Sequence, residues 1–287
     1  AYNYGFVSEK IISILNPDHS FNENLIRVAN PTSREYVIMR NSLIPGLVGN
    51  VRINTARQIE PVKLFEVGAV FMKKDNQPIE HLMCAGILCG REKRRWSGPS
   101  TMLDFADLKG VLDLVFRSLA VKGMHLQQDN RPHLQPGRSA SVYIDNQCIG
   151  TCGQLHRRIC EFFEIDMPVY AFEIETRSIR KKESIAQTYK AIPRYPAITR
   201  DFSFVLDAGV TWDSIQKEVY AAGSDLIEDI RPFDRYVSKK FGSNRYGLSF
   251  SVVLRSLEKT LTDSDADRVQ TAIISRLRET LKASLRT

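Results

Sequence analysis

Cysteine and histidine side chains are the first candidates for chemistry in this sequence. The cysteines at positions 84, 89, 148, 152 and 160 contain no Cys-x-x-Cys pair, and the histidines are scattered. Cys148, Cys152 and His156 lie at a spacing compatible with a metal, with both thiols on one face of a strand, but no fourth ligand accompanies them. The spacing therefore predicts buried free thiols in a reducing compartment, with neither a disulfide framework nor a metal site.

A second candidate chemistry is the binding of RNA by the last hundred residues. The segment 245–254 alternates large apolar residues with small or hydroxyl-bearing ones, which places Ser249 and Ser251 on one face of a strand. Ser203 takes the same position in a strand predicted at 201–207. A sheet face of small polar residues leaves room for unstacked bases, which stack on aromatic side chains while cations hold the phosphates.

The residues predicted to contact RNA share that face or flank it. They are Ser203, Ser249 and Ser251 on the sheet, Phe233 and Tyr236 for stacking, and Lys239, Lys240, Arg245 and Arg255 for phosphates. The alternative is an ordinary solvent-facing polar sheet, and the alternation alone favours that alternative.

The composition sets broad limits on the class of protein. A chain of 287 residues with 43% hydrophobic residues predicts a substantial core and two domains. The net charge of +7 is compatible with a polyanionic partner, although the excess is spread along the chain. No apolar run approaches the roughly 18 to 20 residues of a membrane span, so a cytoplasmic protein without a membrane partner is expected. The start at Ala1 indicates a fragment of a longer protein.

The elements that must position these side chains fall into two groups. The hydrophobic pattern of residues 1–180 predicts an α+β domain built on an antiparallel sheet. Its elements are a helix capped by Ser8, a helix with Pro45 in its first turn, strands at 62–73 and 80–90, a helix starting at Asp104, a hairpin over 141–153 and a strand at 169–175.

A change of composition separates the second group from the first. Residues 181–193 are predicted to be a linker, and residues 194–287 a second domain. The expected elements are strands at 201–207, 227–236 and 245–254, helices at 212–221 and 263–281, and a short last strand near Ser284. This order is the βαββαβ unit of ferredoxin-like domains.

Short motifs run in a fixed order along nearly the whole chain. They are Asn30-Pro-Thr-Ser33, Met39-Arg-Asn-Ser-Leu-Ile-Pro-Gly-Leu-Val48, Leu64-Phe-Glu-Val-Gly68, Asp104-Phe-Ala-Asp-Leu-Lys-Gly110, His133 with Pro136-Gly-Arg-Ser-Ala140, Ile149-Gly-Thr-Cys-Gly-Gln-Leu-His156, Ala171-Phe-Glu-Ile-Glu175, Arg194-Tyr-Pro-Ala-Ile-Thr-Arg-Asp201, Phe233-Asp-Arg-Tyr236 and Lys259-Thr-Leu-Thr-Asp263. Together they resemble the C-terminal half of the β subunit of bacterial phenylalanyl-tRNA synthetases.

The resemblance implies two modules and a set of partners. The first would be a non-catalytic module with a class II synthetase fold that packs on the catalytic α subunit. The second would be a ferredoxin-fold anticodon-binding domain for phenylalanine tRNA, which favours the RNA interpretation of the polar sheet face. ATP and magnesium would be handled by the α subunit of a heterotetramer, so this chain is expected to bind no cofactor.

Met72 is the residue at which the first module departs from an active class II site. The segment 64–72 resembles a strand of active class II synthetases. At the position of Met72, that strand has an arginine that binds ATP. A thioether cannot neutralise a phosphate as a guanidinium does. Residues 172–178 also lack the glycine-rich arginine motif of active members, so the module is not expected to activate an amino acid. Glu66 and Glu173 are accordingly expected to be structural or interface residues rather than an acid–base pair.

Two alternatives stay open at this stage. One is a free-standing synthetase-like ligase in which Lys73 or Arg177 replaces the missing cations. The other is an RNA-binding protein without anticodon preference.

Overall fold

The chain forms two compact units, Ala1–Thr188 and Tyr189–Thr287. The computed structural model describes residues 1–18, 22–93, 96, 98–180, 192–238, 241–242 and 244–286. The predicted linker at 181–193 lies almost wholly outside the described residues, so its boundaries stay a prediction.

The first unit is built around one antiparallel sheet. Its described elements are β1 (Phe6–Val7), α1 (Glu9–Leu15), β2 (Ile38–Met39), α2 (Ile44–Ala56), β3 (Val62–Lys74), β4 (Gln77–Cys89), α3 (Phe105–Ser118), β5 (Met124–Gln128), β6 (Leu134–Ile144), β7 (Gln147–Leu155), α4 (Arg157–Phe162), β8 (Val169–Glu175) and α5 (Thr176–Arg180). Six strands pair in the order β3-β4-β8-β7-β6-β5, and β1 pairs with β2 separately. The predicted antiparallel α+β fold is confirmed.

A helix packs against each face of the six-stranded sheet, and buried apolar side chains form both contacts. Leu47, Val48 and Val51 of α2 pack with Val62 and Ile87 on one side. On the other side, buried side chains of α3 meet the second face of the sheet; they include Leu108, Leu112, Phe116, Val142 and Ile174. Helix α3 begins at a capping box in which Asp104 accepts from the amides of Ala106 and Asp107, as an aspartate at this position predicts.

Strand β7 contains an irregularity that the sequence pattern did not reveal. Gly150 pairs with Val142, whereas Cys148 pairs with Tyr143, so Ile149 is an extra residue in β7. An extra residue reverses the facing of the chain. Cys152 is buried and Cys148 is exposed, and the prediction that both thiols share one buried face was therefore wrong.

The second unit has the predicted βαββαβ order. Its elements are β9 (Ile198–Asp207), α6 (Trp212–Gly223), β10 (Ile227–Tyr236), β11 (Arg245–Leu254), α7 (Asp263–Leu281) and β12 (Ser284–Leu285). The strands form an antiparallel sheet in the order β10-β11-β9-β12. Thr262 is the N-cap of helix α7, and its hydroxyl accepts from the Asp265 amide in a capping box. The Lys259 ammonium and the Thr262 donors lower the pKa of Asp265 to about 2.

Both long helices of this unit pack on one face of its sheet. Phe202, Phe204 and Phe250 are buried there and stack on one another, together with Val219 of α6 and Ile273 of α7. The alternation predicted within 245–254 is confirmed, since Leu248, Phe250, Val252 and Leu254 all belong to this core, whereas Ser249 and Ser251 do not. The opposite face carries Ser203, Ser249 and Ser251 of the predicted RNA-binding residues. Within the described part of the chain, no helix is long and apolar enough to cross a membrane.

Candidate functional site

The face of the second sheet opposite its helices brings the three predicted serines close together. Ser249 pairs directly with Ser203 across β11 and β9, and their hydroxyl oxygens lie 3.2 Å apart. The Ser251 hydroxyl donates to the Asp201 carboxylate at 2.6 Å. These short side chains form a shallow polar surface, which is called the serine face below: Asp201, Ser203, Gly247, Ser249 and Ser251.

Tyr236 lies flat against this surface at its β10 edge. Tyr236 pairs with Gly247 of β11, and a Cβ atom at Gly247 would lie 2.3 Å from the ring carbon Cζ of Tyr236. Only glycine leaves space for the ring at this position. Aromatic side chains cover glycine residues of neighbouring strands in this way in other sheets. The pairing of Tyr236 with Gly247 therefore places an aromatic ring beside the serines.

Arg286 completes the serine face and was not predicted from the sequence. Its amide donates to the Ser203 carbonyl at 2.8 Å, which continues the pairing of β12 with β9. Its guanidinium carbon lies 5.2 Å from the centroid of the Tyr236 ring, and Nη1 donates to the Tyr236 hydroxyl. The Arg286 side chain, from β12, and the Tyr236 side chain, from β10, therefore meet above the two strands between them, β9 and β11. Ser249 on β11 is only 7% exposed.

A sequence signal for Arg286 did exist. Ser284 pairs with Val205, and Arg286 stands two residues further along the chain. Residues two apart in a strand share a face. If the predicted last strand near Ser284 is placed next to β9, Arg286 therefore lies beside Ser203.

The other predicted RNA contacts are dispersed. Phe233 occupies a bulge in β10 and is 60% exposed. Arg245 begins β11 and pairs with Asp207 at 2.9 Å. Arg255 follows the far end of β11, about 26 Å along the strand from Gly247. Its guanidinium donates to the Glu228 carboxylate at 2.8 Å and to the Tyr195 carbonyl at 2.7 Å. Lys239 and Lys240 lie outside the described residues.

In the first unit, Met72 lines a cavity of about 230 Å³. The residues around it come from distant parts of the chain: Ile12, Leu15, Asn16, Asn41, Ser42, Ile44, Met72, Pro132, His133 and Glu173. None of these described lining residues is a lysine or an arginine. Lys73, the next residue along β3, and the exposed Arg177 do not line the cavity either.

Glu173 forms the acidic part of the cavity wall and is held by two donors. The Leu43 amide donates to Oε1 at 2.6 Å, and the Ser42 hydroxyl donates to Oε2 at 2.9 Å. Burial raises the pKa of Glu173, while these donors and the charge of Arg40 oppose the shift. On the same wall, burial and the charges of Arg131 and Arg158 lower the pKa of His133 to about 4. At neutral pH the imidazole is therefore uncharged.

Glu66 belongs to a separate, buried ion pair. Its Oε1 lies 2.6 Å from Arg40 Nη1, with the two side chains 2% and 10% exposed, and Asn3 donates to its other oxygen at 2.6 Å. Gly68 makes room for this pair, because a Cβ atom there would lie 2.4 Å from Arg40 Nη2. The Phe-Glu-Val-Gly motif of β3 therefore anchors Arg40, and the two glutamates have separate structural partners.

Comparison with protein families gives one match for each unit. Residues 1–176 match the phenylalanyl tRNA synthetase beta chain CLM domain. The chain belongs to the phenylalanyl-tRNA synthetase beta chain family. Residues 193–286 match the ferredoxin-fold anticodon binding domain, which includes the whole serine face, Tyr236 and Arg286. The cavity beside Met72 lies within the first match.

Relatives in this family align with almost the whole chain. The phenylalanine–tRNA ligase beta subunit of Clostridium acetobutylicum is 30% identical over 99% of the chain and 35% of its own length. That of Bacillus subtilis is 32% identical over 100% of the chain and 36% of its own length. The chain thus spans about a third of the length of the relatives that it matches.

A solved structure shares its fold with about two thirds of the chain. Pyrrolysyl tRNA synthetase from Desulfitobacterium hafniense superposes with a TM-score of 0.50 at 12% identity, covering 67% of this chain and 66% of that one. At this identity the likeness concerns the fold alone. The predicted fold, a class II synthetase-like sheet followed by a ferredoxin-like domain, is confirmed.

Proposed function

We propose that the second unit binds the anticodon of phenylalanine tRNA through the serine face. The observation that carries this proposal is the arrangement of Tyr236 and Arg286 beside Ser203 and Ser249. An aromatic ring provides a stacking surface for an unpaired base, a guanidinium provides a cation for phosphate or base edges, and hydroxyls bond base edges. The match to an anticodon-binding domain family supports the same proposal.

The first unit is proposed to be an assembly module without adenylation chemistry. A cavity without a lining cation does not fit a triphosphate or its magnesium, since phosphate sites depend on arginine, lysine and backbone amides. On β3, an edge strand of the sheet, Phe65 and Val67 are 65% and 52% exposed. Two exposed apolar side chains on one face of an edge strand favour contact with another protein.

The proposed partner for this surface is the catalytic α subunit of phenylalanine–tRNA ligase. In the resulting cytoplasmic heterotetramer, the α subunit would use ATP and magnesium to attach phenylalanine. The chain described here would contribute assembly contacts and anticodon recognition.

Anticodon binding is tested with a fluorescent anticodon stem-loop of phenylalanine tRNA and a matched stem-loop whose three anticodon bases are changed. The expected result is at least roughly tenfold tighter binding of the native stem-loop at the same salt concentration, because base contacts rather than phosphates carry sequence preference. Equal affinity for the two stem-loops, with an equal salt dependence, would instead establish an RNA-binding protein without anticodon preference.

The assembly proposal is tested by phenylalanine-dependent pyrophosphate exchange. The chain alone is expected to show background exchange and the purified α subunit is expected to co-elute with it in gel filtration. Exchange above background by the chain alone, lost on replacing Lys73 or Arg177, would favour the free-standing ligase instead.

A further inference from the structure

The cavity beside Met72 has the features of a small-molecule site. Five of its described lining residues are apolar, namely Ile12, Leu15, Ile44, Met72 and Pro132. The remainder are polar and converge from separate segments: Asn16, Asn41, Ser42, His133 and Glu173. Ligand sites in proteins combine an apolar wall with a few placed polar groups in this way.

The size of the cavity restricts its ligand. A volume of about 230 Å³ lies below the roughly 300 to 1,000 Å³ of sites for drug-sized ligands. A ligand of matching size would be a single small ring or a short aliphatic chain with one polar group.

Charge decides which polar group fits. Glu173 is the one carboxylate among the described lining residues, and no lysine or arginine accompanies it there. Its Oε1 atom accepts one hydrogen bond, from the Leu43 amide, and its Oε2 atom accepts one from the Ser42 hydroxyl. A carboxylate oxygen has two lone-pair sites, so each can accept another donor.

Opposing effects act on the charge of this carboxylate. Burial raises the pKa of Glu173, while the Leu43 and Ser42 donors and the charge of Arg40 oppose the shift. The Arg40 guanidinium is hydrogen-bonded to Glu66, and an ammonium group beside Glu173 would favour the charged form further. The neutral imidazole of His133 does not repel a cation. A phosphate or carboxylate ligand, by contrast, would meet Glu173 with no lining cation to offset the repulsion.

We propose that this cavity binds a small protonated amine with an apolar body, with the ammonium group on Glu173 and the apolar body against Met72, Ile12 and Ile44. The site is distinct from the proposed anticodon surface and requires no adenylation chemistry.

Benzylamine is the probe, titrated into the isotopically labelled 287-residue chain and followed by amide and methionine methyl NMR signals. Saturable shifts are expected at Met72, Ile12 and Ile44. Benzyl alcohol, which lacks the charge, is expected to bind at least about tenfold more weakly, and phenylacetate is expected to leave these signals unchanged.

Three variants test the roles given to Glu173 and Met72. Glu173→Gln keeps an acceptor for the Leu43 amide and removes the charge, so benzylamine affinity is expected to fall at least about tenfold. The matched control Glu175→Gln alters the next carboxylate on β8, which bonds His81 and Ser178 rather than the cavity, and should bind benzylamine normally. Met72→Phe reduces the cavity without touching the carboxylate and is expected to abolish binding.

The proposal is overturned if benzylamine causes no saturable shifts at these residues. It is also overturned if Glu173→Gln, with an otherwise native spectrum, binds benzylamine as tightly as the unaltered chain. Equal binding of benzyl alcohol and benzylamine would contradict the role given to charge.

Discussion

Replacing Tyr236 with alanine tests whether the ring over Gly247 is the stacking surface for an anticodon base. Stacking of a base on an aromatic side chain contributes about 1 to 3 kcal/mol. At 1.4 kcal/mol per factor of ten, the dissociation constant for the anticodon stem-loop is expected to rise about 5- to 150-fold. The variant is expected to fold, because the ring lies on the serine face rather than in the core. Loss of the cation–π contact with Arg286 should lower the free energy of unfolding by about 0.5 to 1 kcal/mol.

The assay is fluorescence anisotropy of the labelled stem-loop at several salt concentrations. Tyr236→Phe keeps the ring and loses only the hydroxyl that Arg286 contacts, so its affinity should stay within about threefold of the unaltered chain. Tyr220→Ala is the matched control, since Tyr220 is 46% exposed on α6, which packs on the other face of the sheet. If Tyr236→Ala and Tyr220→Ala bind the stem-loop equally well, the stacking role of Tyr236 is refuted.

Three further outcomes are expected. Arg286→Ala should lower the slope of log affinity against log salt by about one if Arg286 contacts a phosphate, and an unchanged slope would exclude that contact. Glu66→Gln should lower the free energy of unfolding in urea by about 3 to 5 kcal/mol, because it leaves Arg40 buried without its ion partner; a loss below about 1 kcal/mol would contradict this. His133 has a folded-state pKa of about 4, below its usual 6.5, so the stability it contributes is complete above pH 6.5 and lost as the pH falls towards 4. Because the imidazole keeps some solvent exposure, the loss should be at most about 3 kcal/mol, and His133→Asn should flatten urea-derived stability over that pH range.

The second unit was accessible to sequence reasoning because its patterns are local. The alternation of 245–254 and the Thr262 cap before 263–281 predict these two elements with the bounds that the structure has. Period-two alternation also identifies Ser249 and Ser251 as the polar face. These signals need no knowledge of which strands are neighbours.

Features that depend on strand pairing were not accessible in the same way. Tyr236 covers Gly247 only because β10 and β11 pair in one register, with a bulge at Phe233 that shifts that register. Arg286 reaches Tyr236 because β12 lies next to β9. The error at Cys148 has the same origin, since a bulge leaves no clear signal in composition.

The cavity shows a further limit of sequence reasoning. The position of Met72 was identified from a motif, but the wall opposite it comes from segments near residues 12, 42, 133 and 173. Such convergence is set by tertiary packing of α1, α2, β3 and β8. The sequence therefore indicated a missing cation without indicating the space and the carboxylate that stand beside it.

The most direct test of the central claim is a structure of the chain bound to the anticodon stem-loop of phenylalanine tRNA. The expected complex has an anticodon base on the Tyr236 ring, with Arg286 moved from the Tyr236 hydroxyl to the RNA and base-edge contacts to Ser203 or Ser249. A complex in which the anticodon contacts only the helical side, on α6 or α7, and leaves the serine face open to solvent would contradict the proposed function.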